Sequence, residues 1–144
     1  MKYIVWDLDQ DYPILRKWCK ERAFDNEIPK EMLPPQGIIV EDNEPICALG
    51  LYFNKKVKFG YMYGIFSNPK IGKIKLVKAM KMSLQEVKKL AKQNNIEIIL
   101  THTAEKALEK LYMKYGDMEY GEQNVKSYVM NLNKKKYNNL DWLK

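Results

Sequence analysis

The sequence predicts a single α/β domain, because strand-like and helix-like segments alternate along a chain of 144 residues. A chain of this length with 46% apolar residues can bury one substantial core. Segments in which every second residue is apolar indicate strands. Segments in which apolar residues recur every third or fourth position indicate amphipathic helices. The predicted order is β-α-α-β-β-β-α-β-α-β-β, with about seven strands.

The first half of the chain predicts one strand, two helices and three antiparallel strands. Asp9 or Asp11 can cap the first helix, which has Pro13 in its first turn. The second helix is short, since two consecutive prolines follow it. Asp42-Asn43 has turn composition, so we expect a hairpin there. The strands are predicted at 2–6, 37–41, 45–53 and 58–67, and the second helix at 27–33.

The second half predicts a long helix, a buried strand, another helix and a closing hairpin. Apolar residues between Leu76 and Ala91 recur on one face of the long helix. Gly64, near the end of the fourth strand, is typical of a bulge or a close backbone approach. We expect one domain over residues 1–132 and a basic tail over 133–144. The elements are a strand at 96–102, a helix at 105–115 and a hairpin at 118–132.

The composition excludes several classes of protein. No apolar run approaches the roughly 20 residues that span a bilayer, so no membrane partner is expected. The first residues lack the apolar run and cleavage site of a signal peptide, which favours a cytoplasmic protein, in the host cytoplasm if it is viral. Cys19 and Cys47 are too few for a disulfide framework, and His102 is the only histidine. The sequence therefore predicts no metal site.

The charge of the chain favours acidic partners. The formal net charge is +7, and residues 70–92 hold eight lysines and one acid, Glu86. Such a balance suits nucleotides, nucleic acid or the phosphates of a cofactor. No helix-turn-helix, zinc-finger or aromatic RNA-binding pattern is present, so nucleic-acid binding would rest on charge alone.

One segment carries a family resemblance. The apolar strand predicted at 96–102 is followed by Ala107-Leu-Glu-Lys-Leu-Tyr-Met-Lys-Tyr-Gly116, a short amphipathic helix that ends at a glycine. This strand and helix, with the pattern Leu-Tyr-x-Lys-x-Gly, resemble the C-terminal half of the GCN5-related N-acetyltransferase (GNAT) superfamily, in a phage-type or divergent form. The resemblance covers residues 1–132. It implies a mixed sheet with helices on both faces, splayed between the fourth and fifth strands to hold acetyl-CoA.

The resemblance also implies which residues bind the cofactor. The fourth strand would hydrogen-bond the pantetheine arm through Ile65, Phe66 and Ser67. The turn into the long helix would hold the phosphates with backbone N–H groups and lysines. The family pattern there is Gln/Arg-x-x-Gly-x-Gly/Ala, whereas this chain has one glycine, out of register. The residues implied in this turn are Lys70, Ile71, Gly72, Lys73 and Lys75.

The implied reaction is direct attack of a primary amine on the thioester of acetyl-CoA, without a covalent enzyme intermediate. The acceptor would be a small molecule, a protein lysine or an N-terminus. Tyr112 would protonate the leaving thiolate, as the family tyrosine does. His102, at the end of the fifth strand, is a candidate general base, and Glu41 and Glu97 are further candidates. Asp117 replaces the phenylalanine that usually follows the family glycine.

Each candidate also has a purely structural interpretation. Tyr112 is one of ten tyrosines, and a helical tyrosine commonly packs in the core. His102 can be a hydrogen-bonded residue at a strand end, and the lysines can form a solvated helix face. In the aromatic stretch from Tyr61 to Phe66 most residues are expected in the core, with one or two tyrosines beside the acceptor. The rival functions are an inactive GNAT-fold module that binds a protein and a small basic nucleic-acid-binding protein.

Overall fold

The computed structural model describes residues 1–22, 28–103, 106–121 and 136. Five strands form one mixed sheet in the order β1-β2-β3-β4-β5. Neighbouring strands from β1 to β4 are antiparallel, and β5 runs parallel to β4. The strands are β1 (Lys2–Val5), β2 (Gln36–Asp42), β3 (Glu44–Asn54), β4 (Phe59–Ser67) and β5 (Ile98–Leu100). The helices are α1 (Leu8–Glu21), α2 (Lys73–Gln93) and α3 (Lys106–Tyr115).

Helices cover both faces of the sheet, as predicted. Successive residues of β2 point to opposite faces, so Ile39 packs with Leu15 of α1 while Ile38 packs with Leu84 of α2. The α3 residue Tyr112 joins the second of these clusters. The face of α2 predicted to be apolar is the buried one, because Met80, Leu84, Val87 and Ala91 are inaccessible to solvent.

The start of α1 differs from the prediction. Asp7, rather than Asp9 or Asp11, is the N-cap, and its Oδ1 accepts a hydrogen bond from Asp9 N at 2.9 Å. Asp7 can cap because its backbone is extended, whereas the two later aspartates already lie in the first turn. Pro13 lies within the helix, beyond the first turn.

The predicted second helix is reduced to a 3-10 turn, Lys30–Met32. Pro29 precedes this turn and Pro34 follows it closely, so no room remains for an α-helical turn with its own hydrogen bonds. The part of the prediction on residues 23–27 lies outside the described residues.

The predicted buried strand at 96–102 is also different. β5 has three residues, and Ile98 and Leu100 are 65% and 50% exposed. Its apolar residues pack on few neighbours because β5 is the last strand of the described sheet and pairs on one side only. The predicted hairpin at 118–132 and the tail at 133–144 lie almost entirely outside the described residues. Among the described helices, none has the length and apolar character needed to span a membrane.

Candidate functional site

A wedge opens between β4 and β5. The two strands pair over only three residues, Phe59–Tyr61 of β4 with Ile98–Leu100 of β5. β4 then continues to Ser67, and on this side no strand in the described part of the chain pairs with it. Thr101 lies where the strands separate, and its hydroxyl donates to Met62 O at 3.0 Å. The splay predicted between the fourth and fifth strands is therefore present.

A β-bulge shapes the β4 side of this wedge. Leu49 of β3 pairs with Ile65 and Gly50 pairs with Tyr63, so Gly64 is the extra residue. Its φ of +70° lies in the left-handed region, which glycine adopts without strain. The sequence pattern had indicated a bulge or a close approach at this glycine, and the bulge is confirmed.

The backbone N–H and C=O groups of the residues after the bulge point alternately toward β3 and toward the wedge. Asn68 N donates to Ile46 O at 2.8 Å, so Asn68 faces β3. Peptide groups alternate along a strand, so Phe66 also faces β3 while Ile65 and Ser67 face the wedge. The Phe66 side chain is buried in the core beneath α1. Of the three predicted pantetheine contacts, Ile65 and Ser67 thus have backbone groups directed at the opening.

Arg22, which sequence analysis did not single out, also reaches this edge. Its Nε donates to Ser67 O at 3.3 Å from the end of α1. The contact engages the carbonyl of Ser67. Ile65, the other wedge-facing residue beyond the bulge, has no β5 partner among the described residues. No local pattern at Arg22 signals this role, because the contact joins residues far apart in sequence.

The turn between β4 and α2 is held by a buried asparagine. Asn68 Oδ1 accepts from Lys70 N at 3.0 Å, and its Nδ2 donates to Pro45 O at 3.0 Å. Gly72 is the N-cap of α2, and no side chain caps this helix. A Cβ atom at Gly72 would meet nothing within 4 Å. The first N–H groups of α2 therefore have no capping side chain, lie beside an open cleft and carry the partial positive charge of a helix N-terminus.

The predicted phosphate-binding lysines separate into two groups. Lys75 Nζ lies 3.1 Å from Asp42 Oδ2 and donates to Asp42 O at 3.2 Å, so it is held beside the end of β2. The contact of the Lys75 ammonium with the Asp42 carboxylate, helped by the Met1 ammonium, lowers the pKa of that carboxyl below its usual value. Lys70 and Lys73 form no ion pair with any described acid. A cleft of about 690 Å³ at this helix end is lined by Met1, Asp42, Gly72, Lys73, Ile74, Lys75 and Lys78.

Tyr112 lies at the apex of the wedge. Its ring packs with Met62 and Val87, and the residue is 5% exposed. Its hydroxyl is buried and has no hydrogen-bond partner among the described residues. Burial raises the pKa of Tyr112 to about 12, against an opposing effect of the nearby Thr101 hydroxyl. The Thr101 hydroxyl donates its own proton to Met62 O.

The predicted base candidates lie in different places. His102 is exposed at the end of β5, and its Nδ1 forms a hydrogen bond with the Tyr61 hydroxyl. Glu41 pairs with Lys2 at 3.1 Å, at the β1 edge of the sheet. Glu97 pairs with Lys58 at 2.5 Å, at the closed end of the β4–β5 ladder. Of the three, only His102 lies beside the point where the strands separate.

Several solved structures share this fold. An aminoglycoside acetyltransferase from an uncultured soil metagenomic sample superposes with a TM-score of 0.66 at 12% identity, over 90% of this chain and 95% of that one. A predicted acetyltransferase with acetyl-CoA from Clostridium acetobutylicum gives 0.56 at 21% identity, over 96% and 99%. A ribosomal-protein-alanine N-acetyltransferase from Brucella melitensis biovar Abortus 2308 gives 0.62 at 14% identity, over 92% and 100%.

Comparison with models of protein families and with curated proteins gave no match. The likeness therefore lies in the three-dimensional arrangement: the strand order, the helices on both faces and the wedge between β4 and β5. The chain therefore has the GNAT fold, at 12–21% sequence identity to these three acetyltransferases.

Proposed function

We propose that the chain transfers an acetyl group from acetyl-CoA to a primary amine. The observation that carries this proposal is the buried, unpartnered hydroxyl of Tyr112 at the apex of the β4–β5 wedge. A buried hydroxyl without a partner costs about 1–3 kcal/mol, so its presence beside an opening favours a ligand that completes it. The fold supports the proposal, since several solved structures that share it are acetyltransferases.

The residues present fit acetyl-CoA at three points. The unpaired edge of β4 at Ile65 offers backbone groups to the amides of the pantetheine arm. The uncapped start of α2, behind Gly72, offers N–H donors to the pyrophosphate. Lys70 and Lys73 are free to neutralise phosphate charge, whereas Lys75 would first have to leave Asp42. When bound, acetyl-CoA supplies the activated acetyl group as a thioester.

Tyr112 then acts on the leaving group, which is the thiolate of CoA. Its raised pKa keeps the phenol protonated at every pH below about 12, so it is always a hydrogen-bond donor in the working range. A free thiol has a pKa of about 8.5, and burial in the same apolar apex raises that value toward the phenol's. Tyr112 stabilises the departing thiolate by donating this hydrogen bond and by passing on its proton as the two pKa values approach.

Titration calorimetry with acetyl-CoA tests the proposal. We expect micromolar binding by the wild-type chain and at least tenfold weaker binding by Lys73→Glu, because the substitution places a negative charge at the phosphate site. Lys92→Glu, at the far end of α2, is the matched control and should bind within twofold of the wild type. Tyr112→Phe should retain binding and lose roughly 100-fold or more in kcat for an amine acceptor.

Two results would contradict the proposal. No detectable binding at millimolar acetyl-CoA would leave the inactive protein-binding module as the better description. Equal effects of Lys73→Glu and Lys92→Glu would show that net charge, and not a site at the start of α2, attracts the cofactor.

A further inference from the structure

The positive charge of the chain is concentrated on two neighbouring helices. α2 and α3 together hold ten lysines and two acids, Glu86 and Glu109, while the formal net charge of the whole chain is +7. The rest of the chain is therefore close to neutral. Both helices cover the same face of the sheet, since Leu84 of α2 and Tyr112 of α3 belong to one buried cluster.

Six of these lysines form two rows. On α2, three lysines are separated by seven and then four residues, a spacing that places them on one side of the helix. On α3, three lysines are separated by four residues each and share one side in the same way. The α2 row is Lys81, Lys88 and Lys92, and the α3 row is Lys106, Lys110 and Lys114.

The two rows meet at Tyr115. Lys81 Nζ lies 5.4 Å from the centre of the Tyr115 ring, and Lys114 Nζ lies 5.3 Å from it. Farther along, Lys88 of the α2 row pairs with Asp117, two residues after Tyr115. The contacts thus advance along both segments in the same direction, so the two rows run side by side.

Few acids neutralise the rows. Asp117 pairs with Lys88, and the other five lysines form no ion pair with any described acid. Glu86 is buried and pairs with Lys89, which lies outside both rows, and Glu109 accepts a hydrogen bond from the Tyr120 hydroxyl. Ammonium groups brought together in this way attract an anionic partner.

We propose that the two lysine rows bind the phosphate backbones of duplex DNA, without regard to base sequence. This inference goes beyond the proposed acetyl transfer and does not depend on it. Lysines that contact phosphates release the counterions condensed on the duplex, and this release supplies most of the free energy of sequence-independent binding. α2 has 21 residues and is about 30 Å long, which matches roughly nine base pairs.

The separation of the rows favours a DNA duplex over other nucleic acids. Packed helices lie about 8–10 Å apart, so the rows can reach the two backbones that flank the B-form minor groove, which is about 6 Å wide. The minor groove of duplex RNA is wide, so the same rows would reach one backbone at a time. Single strands are held by exposed aromatic rings, whereas Tyr115 is partly buried and contacts two lysines.

An acidic protein fits this surface less well than a duplex does. The centre of a protein interface is usually apolar and depleted in lysine, whereas lysines dominate this surface. A duplex also presents about one negative charge per 1.7 Å of its axis, in regular order. Two rows of evenly spaced cations are complementary to that arrangement.

Fluorescence anisotropy with a labelled DNA duplex of about 20 base pairs tests the inference. In about 50 mM salt we expect roughly micromolar binding, and the five lysines without an acid partner predict a slope of about −4.5 for log K against log salt concentration. Lys81→Glu combined with Lys114→Glu should lower the affinity at least tenfold and reduce the slope by about two. Lys81→Gln with Lys114→Gln, which adds no acid, should reduce the slope equally.

Lys55→Glu combined with Lys56→Glu is the matched control. It changes the net charge by the same amount as the first double variant, at the exposed turn between β3 and β4. It should change the affinity by less than about threefold, because salt screens charges outside the contact surface. Thermal unfolding of each variant, compared with the wild type, verifies that the fold is retained.

Three outcomes would overturn the inference: equal losses in the two Glu double variants, a slope near zero, or equally effective competition by single-stranded DNA, duplex RNA or polyglutamate. The proposed acetyl transfer is judged separately, by acetyl-CoA binding. A chain that binds acetyl-CoA and no duplex refutes this inference alone. A chain that binds the duplex and no acetyl-CoA refutes the proposed function alone.

Discussion

At the scale of a residue, the most unusual group is the hydroxyl of Tyr112. It is buried next to Thr101 and has no hydrogen-bond partner among the described residues. An unsatisfied buried hydroxyl weakens the folded state by about 1–3 kcal/mol relative to a carbon-only side chain of the same shape. A chain that keeps such a group carries this cost for a function at that position.

Tyr112→Phe should therefore stabilise the protein. We expect the free energy of unfolding in urea to rise by about 1 kcal/mol at pH 7, because the substitution removes only an unpaired oxygen. Tyr12→Phe is the control, since the Tyr12 hydroxyl donates to Ile28 O at 2.9 Å and its loss should destabilise by about 1 kcal/mol. Equal destabilisation by both substitutions would show that Tyr112 is hydrogen-bonded in solution.

The same residue makes stability depend on alkaline pH. The pKa of Tyr112 rises from 10.0 to about 12 on folding. The wild type therefore keeps its full free energy of unfolding below pH 10 and loses part of it as pH rises toward 12. The loss amounts to roughly 2–3 kcal/mol. In urea titrations at several pH values, Tyr112→Phe should gain stability relative to the wild type. The difference in their free energies of unfolding should increase as pH rises from about 10 to about 12. Cys47, whose pKa burial raises to about 11, contributes equally to both chains and cancels. A difference that stays flat from pH 9 to 12 would contradict the assignment.

At the scale of an element, the bulge in β4 sets the direction of the wedge edge. Gly64 adds one residue opposite Leu49–Gly50, and its left-handed backbone turns the following residues. As a result Ile65 and Ser67, rather than Phe66, have backbone groups directed away from β3. In a regular strand, without the extra residue, the alternation beyond the bulge would be reversed. The peptide groups that now face the wedge would then face β3.

Gly64→Ala should therefore weaken both the fold and the site. The positive φ and a Cβ that would lie 3.0 Å from the Phe66 ring together predict a loss of about 1–2 kcal/mol in unfolding free energy. Gly72→Ser is the control, because its Cβ meets open space and serine caps a helix as well as glycine does. Its stability should change by less than about 0.5 kcal/mol. Equal losses at both glycines, measured by urea unfolding, would argue against the bulge.

At the scale of the whole molecule, charge is placed unevenly. The net charge is +7, and Lys70 and Lys73, which pair with no described acid, lie at the start of α2, where the helix dipole adds to their field. Lys75 is neutralised by Asp42 at the same helix end. The positive charge at the start of α2 therefore attracts phosphates to a place beside the wedge.

Binding of acetyl-CoA should stabilise the whole chain in a salt-dependent way. At a concentration 100-fold above Kd the folded state gains about 2.7 kcal/mol, which corresponds to a rise in Tm of roughly 5–10 °C. Raising the salt from about 0.05 to 0.5 M should reduce this shift, because exposed lysines are screened. Pantetheine, which lacks the phosphates, is the control and should show no such salt dependence. A salt-independent shift with acetyl-CoA would rule out the lysines as its phosphate ligands.

Local patterns in the sequence determined most of the elements. The alternation of β2 to β4, the turn at Asp42-Asn43, the buried face of α2 and the end of α3 at Gly116 each depend on residues close together in the chain. The GNAT fold followed from their order. Where the predictions were wrong, at the cap of α1, the second helix and the buried strand, competing neighbours or the edge of the sheet decided the outcome.

The arrangement of the site was decided by tertiary structure alone. The pairing of Tyr61 with His102 depends on the register between β4 and β5, and the capture of Lys75 by Asp42 depends on how α2 packs beside β2. The burial of the Tyr112 hydroxyl depends on how α3 packs against β4 and α2. None of these contacts is encoded within a short stretch of sequence, because each arises only when distant segments of the chain meet in the folded structure.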